Sequence, residues 1–149
     1  YLYVFNPIKR NIFRFTFTSS GLSQGIGWIT DKKNLDFNQV RDMAVDGSVW
    51  LTTKDGKILK YVQGQSQPFT IEGLTDPFNS PLQISTAEND ENLYILEPGQ
   101  QRVVILSKTG KLIKQIKSTA LSAATDIAVA EDPRTLFVLS GSTVYSIQL

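Results

Sequence analysis

Short runs of alternating apolar and polar residues recur in pairs along this chain. Four such pairs, each joined by a turn, occupy residues 2–17, 49–62, 93–106 and 136–147. Alternation with a period of two predicts half-buried β-strands, and the turn residues between them predict hairpins. The first residues of successive pairs lie 47, 44 and 43 positions apart. A strand-built repeat of roughly 40–50 residues is typical of one blade of a β-propeller. The sequence therefore predicts an all-β propeller.

The two middle repeats predict complete blades of four antiparallel strands. In the second repeat, the alternating segment 42–46 predicts the innermost strand, and Lys54-Asp55-Gly56-Lys57 predicts the hairpin between the next two. Asp-Gly between apolar runs is a strong hairpin signal. The fourth strand of this blade is predicted at 67–73 (QPFTIEG). The third repeat follows the same order, with strands predicted at 82–87, 93–97, 102–107 and 111–117.

The two terminal repeats are shorter. The first begins directly at its second strand, and the last ends without a fourth, so we predict three, four, four and three strands, 14 in total. Residues 18–40 predict the fourth strand of the first blade, then a long loop with a short helical turn. The expected blades are approximately 1–40, 41–80, 81–122 and 123–149, in one propeller domain or part of one.

About three and a half blades is fewer than the usual 4–8 of a closed ring. Three arrangements fit this count. The chain is a piece of a longer propeller, or a half-propeller that forms a homodimer, or a small irregular ring. Two copies give 28 strands (14 in each), the number in seven four-stranded blades. The start at Tyr1 rather than Met leads us to expect that sequence has been removed upstream.

Composition narrows the function classes. Lys and Arg number 15 against 14 Asp and Glu, so no basic field predicts nucleic-acid binding. Without His or Cys, the chain offers no imidazole base and no thiolate metal ligand. We predict no metal and no cofactor. Apolar runs of about five residues fall far short of a membrane span, so no membrane insertion by this segment is expected. Composition does not choose a compartment.

The turn motifs resemble those of the NHL/YVTN group of β-propellers. The group's turn pattern is matched closely by residues 97–102 (EPGQQR) and 109–111 (TGK), and loosely by 6–11 (NPIKRN). Residues 140–143 (SGST) are too short to match it. The resemblance covers nearly the whole chain. It implies a repeat protein similar to the C-terminal propeller parts of larger, membrane-associated bacterial proteins. Some propellers of this kind act as lactonases or lyases.

Aligning the repeats identifies candidate ligand-binding residues. Asp42, Gln83 and Asp126 take equivalent places near the start of each innermost strand, beside the expected central channel. Three converging acceptors suit a cation, a water cluster or a polar ligand. Alternatively, each bonds backbone N–H groups and caps its own blade. Arg41 is a candidate ligand-facing cation or an ion-pair partner, and Trp28 is a candidate aromatic contact on a binding surface.

Other repeated residues receive structural interpretations. Tyr3, Trp50, Tyr94 and Phe137 share one repeat position, which predicts core packing. Lysines 108, 111, 114 and 117 are expected to protect an exposed strand edge.

No nucleophile–base constellation is recognisable, so the predicted function is a non-catalytic binding or scaffold module that presents loops to a protein or a small polar ligand. The alternatives are a propeller enzyme, a lactonase- or lyase-like hydrolase with a channel site, and a structural half-propeller that assembles with itself.

Overall fold

Alternating apolar residues fold into short antiparallel strands throughout the part of the chain that the structure describes. The computed structural model describes residues 1–131 and 134–149. The first five strands are β1 (Leu2–Asn6), β2 (Asn11–Phe15), β3 (Phe17–Thr18), β4 (Gly21–Leu22) and β5 (Ile26–Gly27). The first sheet has the order β1-β2-β5, and β3 and β4 form a separate hairpin inserted between β2 and β5.

The three following sheets are simple meanders. Within each, every strand pairs antiparallel with the next one along the chain. The second sheet contains β6 (Val40–Val45), β7 (Val49–Thr53), β8 (Ile58–Val62) and β9 (Gln65–Gln67). The third contains β10 (Gln83–Ser85), β11 (Asn92–Glu97), β12 (Arg102–Ser107) and β13 (Leu112–Lys117). The fourth contains β14 (Ala124–Glu131), β15 (Arg134–Ser140) and β16 (Thr143–Gln148), and 3₁₀ turns occupy Pro98–Gln100 and Thr119–Ala123.

The described residues confirm the predicted all-β architecture of three, four, four and three strands in four successive sheets. The β3–β4 hairpin is additional to this prediction. The fourth strand predicted at 67–73 is wrong: β9 is Gln65–Gln67. Pro68 has no N–H to donate, so it cannot extend the ladder beyond Gln67. The chain crosses instead to the third sheet, where Glu72 bridges Lys111.

The loop within residues 18–40 belongs to the core. Its side chains Ile29, Leu35 and Phe37 are buried, and the Phe37 ring stacks on Phe5 at 5.8 Å between centroids. Ile29 is fixed by a hydrogen bond of its N–H to the Asn11 side chain (3.2 Å). The loop therefore closes one side of the first two sheets.

Packing between successive sheets produces three apolar layers. Because side chains on a strand alternate between its two faces, each middle strand supplies two layers. On β11, Leu93 and Ile95 face the second sheet, whereas Tyr94 and Leu96 face the fourth. The layer between the first two sheets contains Ile12, Ile29, Leu35, Phe37, Val49, Leu51 and Tyr61.

The aromatic repeat position is buried only where a sheet covers it. Trp50 and Tyr94 are fully buried, as predicted, and Tyr3 is half-buried. The prediction for Phe137 is wrong, because its side chain is 37% exposed. Its neighbours Leu136 and Val138 are buried in the layer that faces the third sheet, whereas Phe137 and Leu139 lie on the opposite, exposed face.

The described part of the chain contains no helix that is both long and apolar enough to cross a membrane.

Candidate functional site

The three aligned polar residues form a continuous row across the innermost strands β6, β10 and β14. The carboxylate oxygen Oδ2 of Asp42 accepts from the Ile84 N–H (2.9 Å), and Oε1 of Gln83 accepts from the Ile127 N–H (2.6 Å). The Gln83 amide also donates to the Asp126 carboxylate. We call Asp42, Gln83 and Asp126 the acceptor row.

The acceptor row links sheets to one another. Asp42 and Gln83 accept from backbone N–H groups, as the capping interpretation expects, but Ile84 and Ile127 belong to the next sheet. Asp42 accepts in addition from the Met43 N–H of its own strand, and the partner of Asp126 is the Gln83 side chain. Two members follow an irregularity in strand pairing: the register shifts between Val40 and Asp42, and again between Ala124 and Asp126. A bulge of this kind re-aims the side chain that follows it. The two bulges accordingly precede carboxylates that both meet partners on β10 of the third sheet, Ile84 for Asp42 and Gln83 for Asp126.

Burial and like charge act together at Asp42. Burial raises the pKa of its carboxyl above the usual 3.8, the Asp126 charge raises it slightly more, and the hydrogen bond from the Ile84 N–H opposes both. A carboxyl with a raised pKa binds its proton more tightly in the folded state. Its contribution to stability is therefore full at low pH and is lost as the pH rises from 3.8 through the raised pKa.

The Asp42→Asn substitution tests this sign. We expect the variant to gain stability relative to the parent as the pH rises from 3 to 7, because asparagine keeps the acceptor for Ile84 without the buried charge. Thermal melts at several pH values measure the difference. Asp55→Asn is the control of opposite sign, since Lys57 lowers the pKa of exposed Asp55. Relative to the parent, the Asp55→Asn variant should lose stability slightly as the pH rises. Equal trends in both variants would contradict the assignment.

Arg41 lies beside the acceptor row, and Trp28 does not contact it. Arg41 is exposed, and its guanidinium reaches the Ser80 hydroxyl at 3.4 Å. Trp28 is half-buried and packs edge-on against Tyr3, with 5.6 Å between ring centroids. Trp28 packs against the apolar layer between the first two sheets. Of the five candidate residues, the structure thus brings together the acceptor row and Arg41.

A buried ion pair supports the same end of the sheets. Arg102 and Glu97 are 0% and 1% exposed, and their side chains approach to 2.7 Å. Oε1 of Glu97 accepts from the N–H groups of Asn79 and Ser80, at 2.7 and 3.0 Å. The Arg102 guanidinium donates to the carbonyl oxygens of Asp76 (2.9 Å) and Pro77 (3.2 Å). The pair therefore holds segment 76–80, which carries the partner of Arg41. Sequence analysis singled out the Glu-Pro…Arg motif without finding this role.

A second buried acid lies at the opposite end of β6. Asp46 accepts from the indole N–H of Trp50 at 3.0 Å and pairs with Lys108 at 2.8 Å. Lys108 also donates to the Ala87 carbonyl (2.8 Å). The prediction that Lys108 protects a strand edge is therefore wrong, because its charge is used to join the second and third sheets. Lys111 and Lys114 are exposed, and Lys117 forms a loose pair with Asp76 at 3.7 Å.

Comparison with solved structures identifies the fold. Virginiamycin B lyase from Staphylococcus aureus matches with a TM-score of 0.55 at 14% identity, over 94% of this chain and 49% of that one. Kluyveromyces lactis Hsv2 matches with a TM-score of 0.52 at 11% identity, over 73% of this chain and 32% of that one. Both are β-propellers. The four sheets are thus blades of a propeller fold, and the chain spans a third to a half of these structures.

A catalytically inactive histidine-to-alanine variant of the lyase, solved with quinupristin, matches similarly. Its TM-score is 0.56 at 13% identity, over 96% of this chain and 50% of that one. No family model matches the sequence, and no curated protein sequence matches it.

Proposed function

We propose that this chain is a non-catalytic binding or scaffold module. Its contact surface is the end of the blades where the innermost strands begin, which carries the acceptor row, Arg41 and Ser80. The observation that supports this best is the row itself, in which polar side chains of three successive blades are fixed side by side by defined hydrogen bonds. A site whose groups are already ordered loses less entropy when a ligand binds.

The support beneath this surface favours the same function. The Glu97–Arg102 pair anchors segment 76–80 from below, so Ser80 is presented on a fixed backbone. Loops held by a rigid scaffold are the usual carriers of binding residues. We infer that the blades serve mainly to position these groups, in keeping with NHL-type repeats.

The charges define the ligand chemistry. Asp42 and Asp126 are acidic neighbours, and proximity to Asp126 contributes to the raised pKa of Asp42. A cationic or donor-rich group relieves this repulsion, so the preferred ligand is a small polar molecule or a partner's side chain with several N–H donors. The near-neutral net charge of +1 gives no support to a nucleic-acid partner.

Titration with spermidine and with the peptide Gly-Arg-Gly tests the proposal. We expect saturable binding by calorimetry and a rise in melting temperature, because a ligand that binds only the folded state stabilises it. Asp126→Asn should weaken binding several-fold, since Asp126 is the exposed acid of the row. Glu131→Gln is the matched control, at the far end of the same strand β14. Equal affinities in the two variants, or no saturation by either probe, would refute this location.

An enzyme is the second candidate, and the lyase similarity is the observation that favours it. The inactive lyase variant has lost a histidine, whereas these 149 residues contain none. Catalysis by this part of the fold would therefore have to use residues other than histidine. Calcium and zinc at millimolar concentration provide the separating measurement. A metal-dependent rise in melting temperature that Asp126→Asn abolishes would favour the enzyme, and spermidine binding without a metal effect favours the module.

A further inference from the structure

Two buried carboxylates take equivalent places in successive blades. Asp46 precedes β7 and Asp90 precedes β11, each four residues before the aromatic repeat position, Trp50 or Tyr94. Both acids follow an innermost strand, β6 or β10, so they lie at the end of the blades opposite the acceptor row. Each side chain is 3% exposed. A carboxylate buried to this extent needs hydrogen-bond donors or a counter-charge, so the partners of the two can be compared directly.

Asp46 is well provided with donors. It accepts from the N–H of Ser48 and from the indole N–H of Trp50, both at 3.0 Å. The third blade adds the Thr86 hydroxyl at 3.2 Å and the Lys108 ammonium at 2.8 Å. Charge-assisted bonds of this kind are the strong ones, and here the ammonium of the next blade neutralises the buried charge.

The fourth blade does not repeat these donors at Asp90. Lys108 follows β12 directly, and Leu149 follows β16 in the same register. Thr86 and Val129 correspond likewise, because each lies two residues after the amide that bonds to the acceptor row. An apolar side chain therefore stands at both positions from which the third blade supplies a donor to Asp46.

Asp90 and Tyr94 consequently keep unused bonding capacity. Asp90 accepts from the Asn92 N–H at 3.0 Å, but the guanidinium of Arg134, which is 43% exposed, approaches it only to 3.6 Å. The Tyr94 hydroxyl is buried and makes no hydrogen bond of normal geometry to any described residue. Burial raises the pKa of Tyr94, the Asn92 side chain lowers it, and Asp90 raises it again, so the hydroxyl and the carboxylate are neighbours.

We propose that Asp90 and Tyr94 bind the ammonium group of a small primary amine, in the place that corresponds to the Lys108 ammonium at Asp46. An ammonium ion carries three N–H donors, and both the carboxylate and the phenol oxygen accept. A divalent metal suits the place less well, because it prefers several oxygen ligands and the described residues contain no cluster of three acidic ligands. Arg134 covers the site loosely and is displaced toward solvent when the amine binds. The site is separate from the acceptor row and goes beyond the function proposed above.

Titration with methylammonium chloride at constant ionic strength tests the proposal, with the backbone amide resonance of Asn92 as a local reporter. We expect a saturable shift with a dissociation constant of about 5–50 mM, since a ligand of two non-hydrogen atoms gains little free energy. Arg134→Met should tighten binding at least about threefold, because a competing cation is removed. Tyr94→Phe should weaken it several-fold, and Asp90→Asn should abolish it. Tetramethylammonium has the same charge but no N–H donor, so it should produce no saturable shift.

Three controls separate this site from general attraction of cations. Glu88→Gln removes an exposed acid from the same turn and should leave methylammonium binding unchanged, as should Asp126→Asn in the acceptor row. Lys108→Met vacates the ammonium position at Asp46, so methylammonium should raise the melting temperature of this variant and tetramethylammonium should not. Failure of that rescue would contradict the equivalence of the two sites. No saturation in the parent and in Arg134→Met up to about 100 mM, an equal shift with tetramethylammonium, or equal weakening by Glu88→Gln and Asp90→Asn would overturn the proposal.

Discussion

Replacing Arg102 with methionine is expected to lower the free energy of unfolding by about 3–5 kcal/mol, the usual loss when one partner of a buried ion pair is removed. Arg102 is fully buried, and its guanidinium is hydrogen-bonded to Glu97 (2.8 Å), Gln115 (3.1 Å) and the carbonyl of Asp76 (2.9 Å). Methionine fills similar space but leaves the Glu97 carboxylate buried without a counter-charge. For a domain of this size the melting temperature should fall by roughly 6–20 °C.

Lys117→Met is the matched control, because it removes a cation that also reaches Asp76. That pair is exposed on both sides and spans 3.7 Å, so its loss should change stability by less than about 0.5 kcal/mol. Chemical denaturation of both variants gives the comparison. A similar loss in the two variants would show that burial of the Arg102 charge is not what stabilises the fold.

Adding Glu97→Gln to Arg102→Met separates the charge from the packing. Glutamine removes the uncompensated charge, and its side-chain oxygen can still accept from the N–H groups of Asn79 and Ser80. We therefore expect the double variant to be more stable than Arg102→Met alone, a strongly non-additive result. If the two losses simply add, the buried charge is not the cause of the Arg102 effect.

The strand pattern was predictable because strands are encoded locally. Alternating apolar residues and the polar turns between them, with Asp55-Gly56 the clearest, identified all four sheets and their strand numbers. The misplaced fourth strand of the second blade has a local cause, since the segment 67–73 alternates suitably but contains Pro68. The exposure of Phe137 has a non-local cause. Its repeat position is apolar in every blade, and burial there depends on a neighbouring sheet that the sequence of the blade does not reveal.

For the candidate site, the sequence likewise predicted the local features and missed the contacts between blades. Repeat alignment located Asp42, Gln83 and Asp126, because equivalent positions in a repeat are visible in sequence. That their partners lie in neighbouring blades was not visible, because it depends on how the sheets are stacked. The Glu97–Arg102 pair and the Asp46–Lys108 pair are likewise contacts that only the stacking of loops and blades creates. Sequence reasoning found the positions, and the structure supplied their partners.

Gly47 and Gly110 look alike in sequence, but the stacking of the blades gives them different surroundings. Gly47 and Gly110 both occupy tight turns with nearly equal positive φ, +100° and +99°. A Cβ added at Gly47 would meet nothing within 4 Å, whereas one at Gly110 would lie 1.9 Å from the Thr70 carbonyl oxygen. That carbonyl belongs to the segment crossing from the second blade to the third. Gly110 therefore allows a close approach of two backbones, and Gly47 serves only its own turn.

Gly110→Ala should consequently lower the free energy of unfolding by about 3–5 kcal/mol, and Gly47→Ala by about 1–2 kcal/mol. The smaller value is the conformational strain that both variants share. The additional loss at Gly110 arises because Thr70 must move, and this disturbs the bonds from the Glu72 N–H to the Gly110 carbonyl and from the Leu112 N–H to the Glu72 carbonyl, both 2.9 Å. Amide exchange at Glu72 and Leu112 should accelerate in Gly110→Ala only. Equal destabilisation, with unchanged exchange at these amides, would mean that the crossing segment adapts freely and does not fix the second blade against the third.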